Sequence, residues 1–168
     1  MPALLTIGLT ATAKAAIPNN QTGCLQGPAG RSFARGHFRA NDKNVGTSYE
    51  TVATVDMPAG LYALSGKAST YMYEALGTEW WAMVSCRLLQ KSPAGAETVQ
   101  DVSHTEVSDD YNERASLSVM GLAYVPAGQT DKLHLQCKDD GGIGGDMNSI
   151  NNIKVIAQQV GGYTAAAN

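Results

Sequence analysis

The three histidines of this sequence are the side chains best suited to acid–base chemistry or metal binding near neutral pH. His37, His104 and His134 are far apart and lie in no H-x-H or H-E-x-x-H pattern. No serine lies in a G-x-S-x-G motif, so the sequence offers no nucleophile of that kind. We therefore predict no catalytic residues and expect a protein that is not an enzyme.

A glycine-rich segment near the C-terminus carries the strongest metal-site pattern. Residues 141–146 read GGIGGD, which matches the G-G-x-G-x-D turn that binds calcium in β-roll repeats. Calcium prefers clustered carboxylate, amide and carbonyl oxygens, and the candidate ligands are Asp139, Asp140, Asp146 and Asn148. The motif occurs once, and Asn148 stands where the repeat has a large apolar residue. The alternative is a loop between two strands, with no cofactor.

Three cysteines are present, an odd number that argues against a dense disulfide framework. Cys86 and Cys137 share the inward parity of their predicted strands, so a disulfide between them would form if those strands are neighbours or face each other. The alternative is a pair of small buried thiols. Cys24 would be left over. No C-x-x-C spacing exists, which disfavours a cysteine zinc site.

Aromatic residues cluster around a predicted strand–turn–strand and include Tyr71, Tyr73, Trp80 and Trp81. Neighbouring residues of a strand point to opposite faces, so one tryptophan ring should face outward. An outward tryptophan suits a subunit interface or stacking on a sugar ring. We favour the interface and keep Tyr71, Tyr73 and Trp81 as an alternative ligand-binding set.

Composition excludes several classes of function. The chain has 168 residues, 16% of them charged, and a net charge of −3. Its densest basic patch, around Arg31, Arg35 and Arg39, is too small for a nucleic-acid footprint and is interpreted as loop or interface positions. No apolar run reaches the roughly 20 residues of a membrane-spanning helix. We therefore expect neither nucleic acid nor membrane as a partner.

Alternation of apolar and polar residues predicts strands throughout the chain. About seven or eight short strands separated by Gly, Pro, Asn and Asp, without an amphipathic helix, favour an all-β fold: a single jelly-roll-like β-sandwich. The more polar strand at residues 98–107 is predicted to be an edge or outer-face strand.

The tripeptide Pro-Ala-Gly occurs four times, at residues 28–30, 58–60, 93–95 and 126–128. Proline presets φ for the second position of a turn, and glycine accepts a positive φ later in it. Collagen would need glycine at every third position, and a solenoid would need recurring neighbours. We interpret the copies as corners, with those at 58–60 and 126–128 marking comparable ones.

The chain divides into an extended N-terminal arm (1–20), a β-sandwich domain (21–160) and a C-terminal tail (161–168). The arm has apolar and β-branched residues but no helix cap and no basic residue before its apolar part, so we expect neither a helix nor a signal peptide. Contacts between copies are predicted for residues of both termini and the aromatic cluster: Leu4, Leu5, Ile7, Leu9, Ile17, Trp80, Trp81 and Tyr163.

The segments VDMPAGLYALSGKA, VSCRLL, LSVMGLAYVPAG, LHLQC and NIKVIAQQV, in this order, resemble jelly-roll domains of bacterial and bacteriophage structural proteins. More distantly, the pattern is similar to C1q/TNF-like trimeric heads. The likeness covers residues 48–160 and consists of strand pattern and turns. It implies a non-catalytic building block: a capsid decoration protein, a fibre or tail component, or a surface-binding module.

The functional expectation is a structural protein of a larger assembly, most naturally a bacteriophage virion, acting through homo-oligomeric contacts. Its partners would be copies of itself and other virion proteins, and its location the virion or the extracellular space. The alternative is a carbohydrate- or receptor-binding β-sandwich module, assisted by calcium, with a cell-surface glycan as partner.

Overall fold

A computed structural model of the chain describes residues 21–26, 33–39, 42–71, 81–108, 114–143 and 149–160. All regular secondary structure in these residues is β-strand, so the all-β class expected from the sequence is confirmed. The strands are β1 (Gln21–Gln26), β2 (Phe33–Arg39), β3 (Lys43–Asn44), β4 (Glu50–Tyr71), β5 (Trp81–Lys91), β6 (Glu97–Ser108), β7 (Arg114–Ile143) and β8 (Ser149–Val160).

Strands β4 and β7 are each long enough to belong to two sheets. Residues 50–58 of β4 pair with residues 130–137 of β7, and residues 60–71 pair with residues 114–125. The first sheet has the order β1–β2–β8–β4–β7 and uses the second half of β4 with the first half of β7. The second sheet has the order β4–β7–β5–β6 and uses the remaining halves. The strand pairs are antiparallel, and the short β3 pairs with the start of β8.

The two sheets face each other across one hydrophobic core. The close packing of the two sheets is visible at Gly66 of the first sheet. A Cβ at this position would lie 3.1 Å from both Leu88 and Leu135 of the second sheet, and 2.8 Å from Val119 of its own sheet. Along the chain, β2 lies in the first sheet, β4 passes from the second sheet to the first, and β5 and β6 lie in the second sheet. Strand β7 then passes from the first sheet to the second, and β8 returns to the first. This is the path of a jelly roll, so the predicted single sandwich is confirmed.

Pro-Ala-Gly marks the points where the two long strands pass between the sheets. The pairing of β4 with β7 jumps from Pro58–Thr130 to Gly60–Val125, which leaves residues 126–129 as a bulge opposite Ala59. Gly60 has φ of 151° and Gly128 has φ of 78°, values that L side chains rarely adopt. The copy at 93–95 forms the β5–β6 hairpin turn instead. The two comparable corners expected from the sequence are therefore confirmed.

Replacing Gly128 with alanine is expected to lower the free energy of unfolding by about 1 kcal/mol, because the left-handed backbone crowds Cβ against the carbonyl. The space around Gly128 holds no atom within 4 Å of the added Cβ, so the effect is one of the backbone alone. Urea denaturation measures it. Gly46→Ala is the control, since its added Cβ would meet only the Glu50 Oε1 at 3.4 Å; equal losses in both variants would contradict the turn interpretation.

Three details differ from the sequence pattern or extend it. The basic segment around Arg35 and Arg39 lies in β2 and not in a loop. Its backbone pairs with β8, and its composition does not predict this pairing. A bulge between Thr51 and Ala53 lets both Val52 and Ala53 face the core. Strand β6 ends the second sheet, which agrees with the predicted polar edge strand.

Candidate functional site

The first half of β7 carries apolar side chains on both of its faces. Its inward residues, among them Leu117 and Val119, belong to the core. Its outward residues include Met120, Leu122 and Tyr124, whose exposed fractions are 70%, 47% and 65%. Large apolar side chains that alternate along the solvent face of a strand are unusual in a soluble domain. This strip is the strongest surface feature of the described residues.

Neighbouring strands extend the strip into a patch. In the register of the first sheet, Tyr124 is opposite Leu61 and Leu122 is opposite Ala63. Ser65 lies between Met120 on β7 and Ile156 on β8. We call this surface the apolar face and define it by the apolar outward side chains of three adjacent strands: Leu61, Ala63, Met120, Leu122, Tyr124 and Ile156. Two exposed polar side chains, Ser65 and Gln158, lie among them.

A polar, cationic end adjoins the apolar face. One outward row further along the strands, Lys67 lies between Ser118 on β7 and Lys154 on β8. Like charges directly opposite each other destabilise an antiparallel pair. No acidic residue occupies an outward position of the first sheet in the described parts of β2, β4, β7 and β8. The outer surface therefore has an apolar end and a cationic end.

The first half of β7 forms one edge of the first sheet, and this edge is covered by β6 and by side chains of the β5–β6 hairpin. The Asp101 Oδ2 accepts a hydrogen bond of 2.8 Å from the backbone N–H of Met120. The Gln90 Nε2 donates to the backbone carbonyl of Tyr124 at 3.0 Å and to the Asp131 Oδ2 at 2.7 Å. A Cβ on Gly121 would lie only 2.9 Å from the Gln100 Cβ. We call this arrangement the edge cover.

The outer face of the second sheet carries mostly polar side chains, several of them paired with each other, together with the exposed Trp81 and Val102. Lys132 forms an ion pair with Asp56 at 3.1 Å, and Lys91 forms one with Glu97 at 2.7 Å. Lys132 and Lys91 are themselves opposite each other on β7 and β5. The side chains of the two ion pairs therefore form one row across all four strands of the second sheet. We call this surface the polar face. Exposed ion pairs of this kind contribute little stability each.

An aromatic ring and two cations occupy the middle of the polar face. The guanidinium of Arg87 lies 4.1 Å from the Tyr49 ring centroid, and the ammonium of Lys138 lies 5.2 Å from it. Arg87 also donates from Nε to the Gln136 Oε1 at 2.9 Å. Lys138 forms an ion pair with Asp140, and this hydrogen bond raises the pKa of Lys138. The cations are thus held by neighbours within the face.

Two opposing effects act on the pKa of Asp140. Burial raises it, but hydrogen bonds from Lys138 and Ser85 outweigh burial and hold the pKa below its usual value. The adjacent Asp139 is buried on the opposite side of β7, where its Oδ1 accepts the Gly141 N–H at 2.7 Å. The two carboxylates therefore do not converge on one point in the described structure.

His134 lies on the polar face beside Thr54, with the Nδ1 of the imidazole 2.9 Å from the threonine Oγ1. Burial lowers the pKa of His134, and the charges of Lys91 and Lys132 lower it further. Such a group takes up its proton more readily in the unfolded chain. The stability it supplies is therefore present above about pH 6.5 and decreases as the pH falls below that value.

We expect the urea concentration at the unfolding midpoint to decrease when the pH is lowered from about 7.5 to about 5.5, and to decrease less in His134→Gln. The carboxylates with lowered pKa, such as Glu97, contribute to pH dependence only below about pH 4.5 and stay outside this window. His37, whose pKa burial also lowers, contributes equally to both proteins. The same slope in wild type and variant would contradict the assignment.

The structure describes part of the sites predicted from the sequence. Trp81 lies at the start of β5, faces outward and is 36% exposed. Tyr71 is the last residue of β4. Cys86 and Cys137 are directly opposite on β5 and β7 and are joined by a disulfide with an S–S distance of 2.10 Å. Outside the described residues lie the other predicted positions: Leu4, Leu5, Ile7, Leu9, Ile17, Tyr73, Trp80, Asp146, Asn148 and Tyr163.

Sequence reasoning did not identify the apolar face. The signal was present, because residues 117–125 are apolar at both parities, whereas a half-buried strand alternates. Within the described ranges, no group of three or more His, Cys, Asp or Glu side chains is placed to hold a metal ion. The same ranges contain no helix with the length and apolarity that a membrane crossing requires.

Comparison with known proteins gives distant structural likenesses. No protein-family model and no curated protein matches the chain. A chain in the structure of infectious bursal disease virus, strain Gx, is 13% identical with a TM-score of 0.40, over 96% of this chain. The CBM22-1–GH10 modules of Clostridium thermocellum endo-1,4-β-D-xylanase 10B, complexed with xylohexaose, are 12% identical with a TM-score of 0.29, over 81% of this chain. The chain spans 39% and 23% of their respective lengths.

Proposed function

We propose that this chain is a non-catalytic structural subunit of a larger assembly and that it binds neighbouring copies of itself. The apolar face carries this proposal, because it presents three large side chains to solvent on a rigid sheet. We assign the assembly to a virion, with the chain as a capsid decoration or stabilising protein or as a fibre or tail component. Its location would then be the virion or the extracellular space.

The energy of covering the apolar face is large enough for association. The exposed parts of Met120, Leu122 and Tyr124 amount to roughly 300 Å² on each copy, and burying them on two copies releases about 15 kcal/mol at 25 cal/mol per Å². The loss of translational and rotational freedom costs about 4 to 15 kcal/mol. The strip therefore offsets that cost, and the rest of the sheet face sets the affinity.

The test is the molar mass of the full chain in solution, measured by light scattering after size-exclusion chromatography from low-micromolar to high-micromolar concentration. The expected result is a mass that rises to a multiple of the 17.6 kDa of one chain. Negative-stain electron microscopy of the same samples then shows whether closed particles or fibres form. A monomer at all concentrations would contradict the proposal.

A second candidate function is favoured by one observation on the polar face. The outward face around Trp81, which is 36% exposed, also carries the exposed side chains of Glu106 and His104 on β6, so an aromatic ring lies on the same surface as hydrogen-bonding groups. This combination suits stacking and hydrogen bonding to a sugar. A glycan array with wild type and Trp81→Ala, with and without a calcium chelator, tests it. Binding that is lost in the variant supports a glycan-binding module, and no binding argues against it.

A further inference from the structure

The edge cover determines how a neighbour can approach the strip. To continue the first sheet, a second chain would pair with the edge groups of β7, including the N–H of Met120 and the carbonyl of Tyr124. Both groups are already bonded, to Asp101 and Gln90. Gln100 also occupies the space beside Gly121. Pairing across this edge would break these contacts, whereas the outward side chains of the same residues are accessible.

The distribution of charge determines the relative direction of two faces. Lys67 and Lys154 lie together at one end of the outer surface, and no described outward position of the sheet offers them a carboxylate. A two-fold axis parallel to the strands would bring Lys67 onto its own copy. An axis in the interface plane, perpendicular to the strands, places the two cationic ends at opposite ends of the contact. Only the second arrangement avoids repulsion between like charges.

We propose that two copies of the chain pack their apolar faces together, sheet on sheet, with antiparallel strands about a two-fold axis that passes near the row of Leu122 and Ala63. This inference rests on the proposed function and specifies its contact. In this arrangement Leu122 meets its own counterpart, and Met120 meets the Tyr124 of the second copy. Isologous two-fold contacts are the commonest between identical subunits, and an apolar surface is complementary to itself.

The apolar face forms the centre of such a contact. Three strands at about 4.8 Å spacing and five residues at about 3.4 Å give it a size of roughly 14 by 17 Å. A standard interface buries roughly 800 Å² per partner, so the contact extends onto the flanking outer surface of the first sheet. Aligned packing of two sheets allows a rotation of about 30° without losing the contact.

Cysteine cross-linking tests the arrangement in the full chain. Two variants are made in a Cys24→Ser background that keeps the buried Cys86–Cys137 disulfide: Leu122→Cys at the axis and Lys67→Cys as the matched control on the same face. In the proposed contact two copies of position 122 are adjacent, whereas two copies of position 67 are about 27 Å apart, because they are separated by eight residues at about 3.4 Å each.

Under mild oxidation, Leu122→Cys is expected to form a covalent dimer in more than about half of the chains, and Lys67→Cys in no more than the background. A dimer from both variants, or from Lys67→Cys alone, would overturn the antiparallel arrangement. If light scattering shows assembly but neither variant cross-links, the two-fold contact centred on Leu122 is wrong, while the self-association that the proposed function requires is retained. A chain that stays monomeric in light scattering contradicts both. Near-ultraviolet circular dichroism verifies that each variant is folded.

Discussion

Replacing Leu122 with aspartate is expected to raise the concentration at which copies associate by at least about a hundredfold, equivalent to about 2.7 kcal/mol. The leucine lies in the middle of the apolar face and is 47% exposed in the single chain. Its loss removes apolar contact area on both copies. The new carboxylate would be buried against its own counterpart at the two-fold axis, where an unpaired charge is costly.

The matched control is Val102→Asp. Val102 is an apolar residue of β6 with an exposed fraction of 50%, but it lies on the polar face of the second sheet. It receives the same charge at similar exposure, so effects of net charge on association are the same in both variants. We expect Val102→Asp to associate like wild type in sedimentation velocity. If both variants associate like wild type, or if both lose association to the same extent, the apolar face is not the contact between copies.

The folded chain itself should tolerate Leu122→Asp. The side chain points away from the core, and its cross-strand neighbour Ala63 is small and only half-buried. Surface substitutions of this kind usually change stability by no more than about 0.5 kcal/mol. The urea midpoint at a concentration where wild type is monomeric verifies this. A large loss of stability would make the association result a folding effect, and the Leu122→Cys cross-link then decides the question.

Removing the Cys86–Cys137 disulfide is expected to lower the free energy of unfolding by about 4 kcal/mol. The bridge joins residues 51 apart, and the entropy of closing a loop of that length in the unfolded chain accounts for about this amount. Both residues are buried between the sheets, at 1% and 0% exposure. The bridge therefore connects the two central strands of the second sheet from the inside.

Urea denaturation of the double variant Cys86→Ala/Cys137→Ala measures this loss. Cys24→Ala is the control, since Cys24 is not part of the bridge. Total stabilities of domains of this size are about 5 to 15 kcal/mol, so the double variant should lose a large share of its stability. Wild type unfolded in the presence of a reductant should approach the same midpoint. A loss below about 1 kcal/mol would show that the bridge does not constrain the unfolded chain.

The local pattern of the sequence predicted most of the strands and their faces. Period-2 alternation placed Val84, Cys86 and Leu88 inward on β5, and all three are buried. Period 2 is a property of the extended backbone itself, so it can be read without knowing the partner strand. The β1–β2 pair was missed, since the segment that forms it is rich in glycine and arginine and shows little alternation.

The candidate site was less accessible to sequence reasoning. The expected contacts lay in the arm and the tryptophan cluster, whereas the described structure presents Met120, Leu122 and Tyr124. A strand with apolar residues at both parities is usual in the middle of a sandwich or beneath another layer. Only the strand order shows that the first half of β7 lies at the edge of its sheet, with one face uncovered by any described residue.

The sequence by itself determined the extended backbone, the alternation of its side chains and the Pro-Ala-Gly corners, because these depend on neighbours a few residues apart. The tertiary structure decided which strands meet. It brought Cys86 to Cys137, Asp101 to the N–H of Met120, and Lys67 to Lys154. These pairs are separated by 19 to 87 residues in the sequence, and no local preference fixes such contacts. They depend on the burial of one shared core, which also determines which apolar side chains are left outside it.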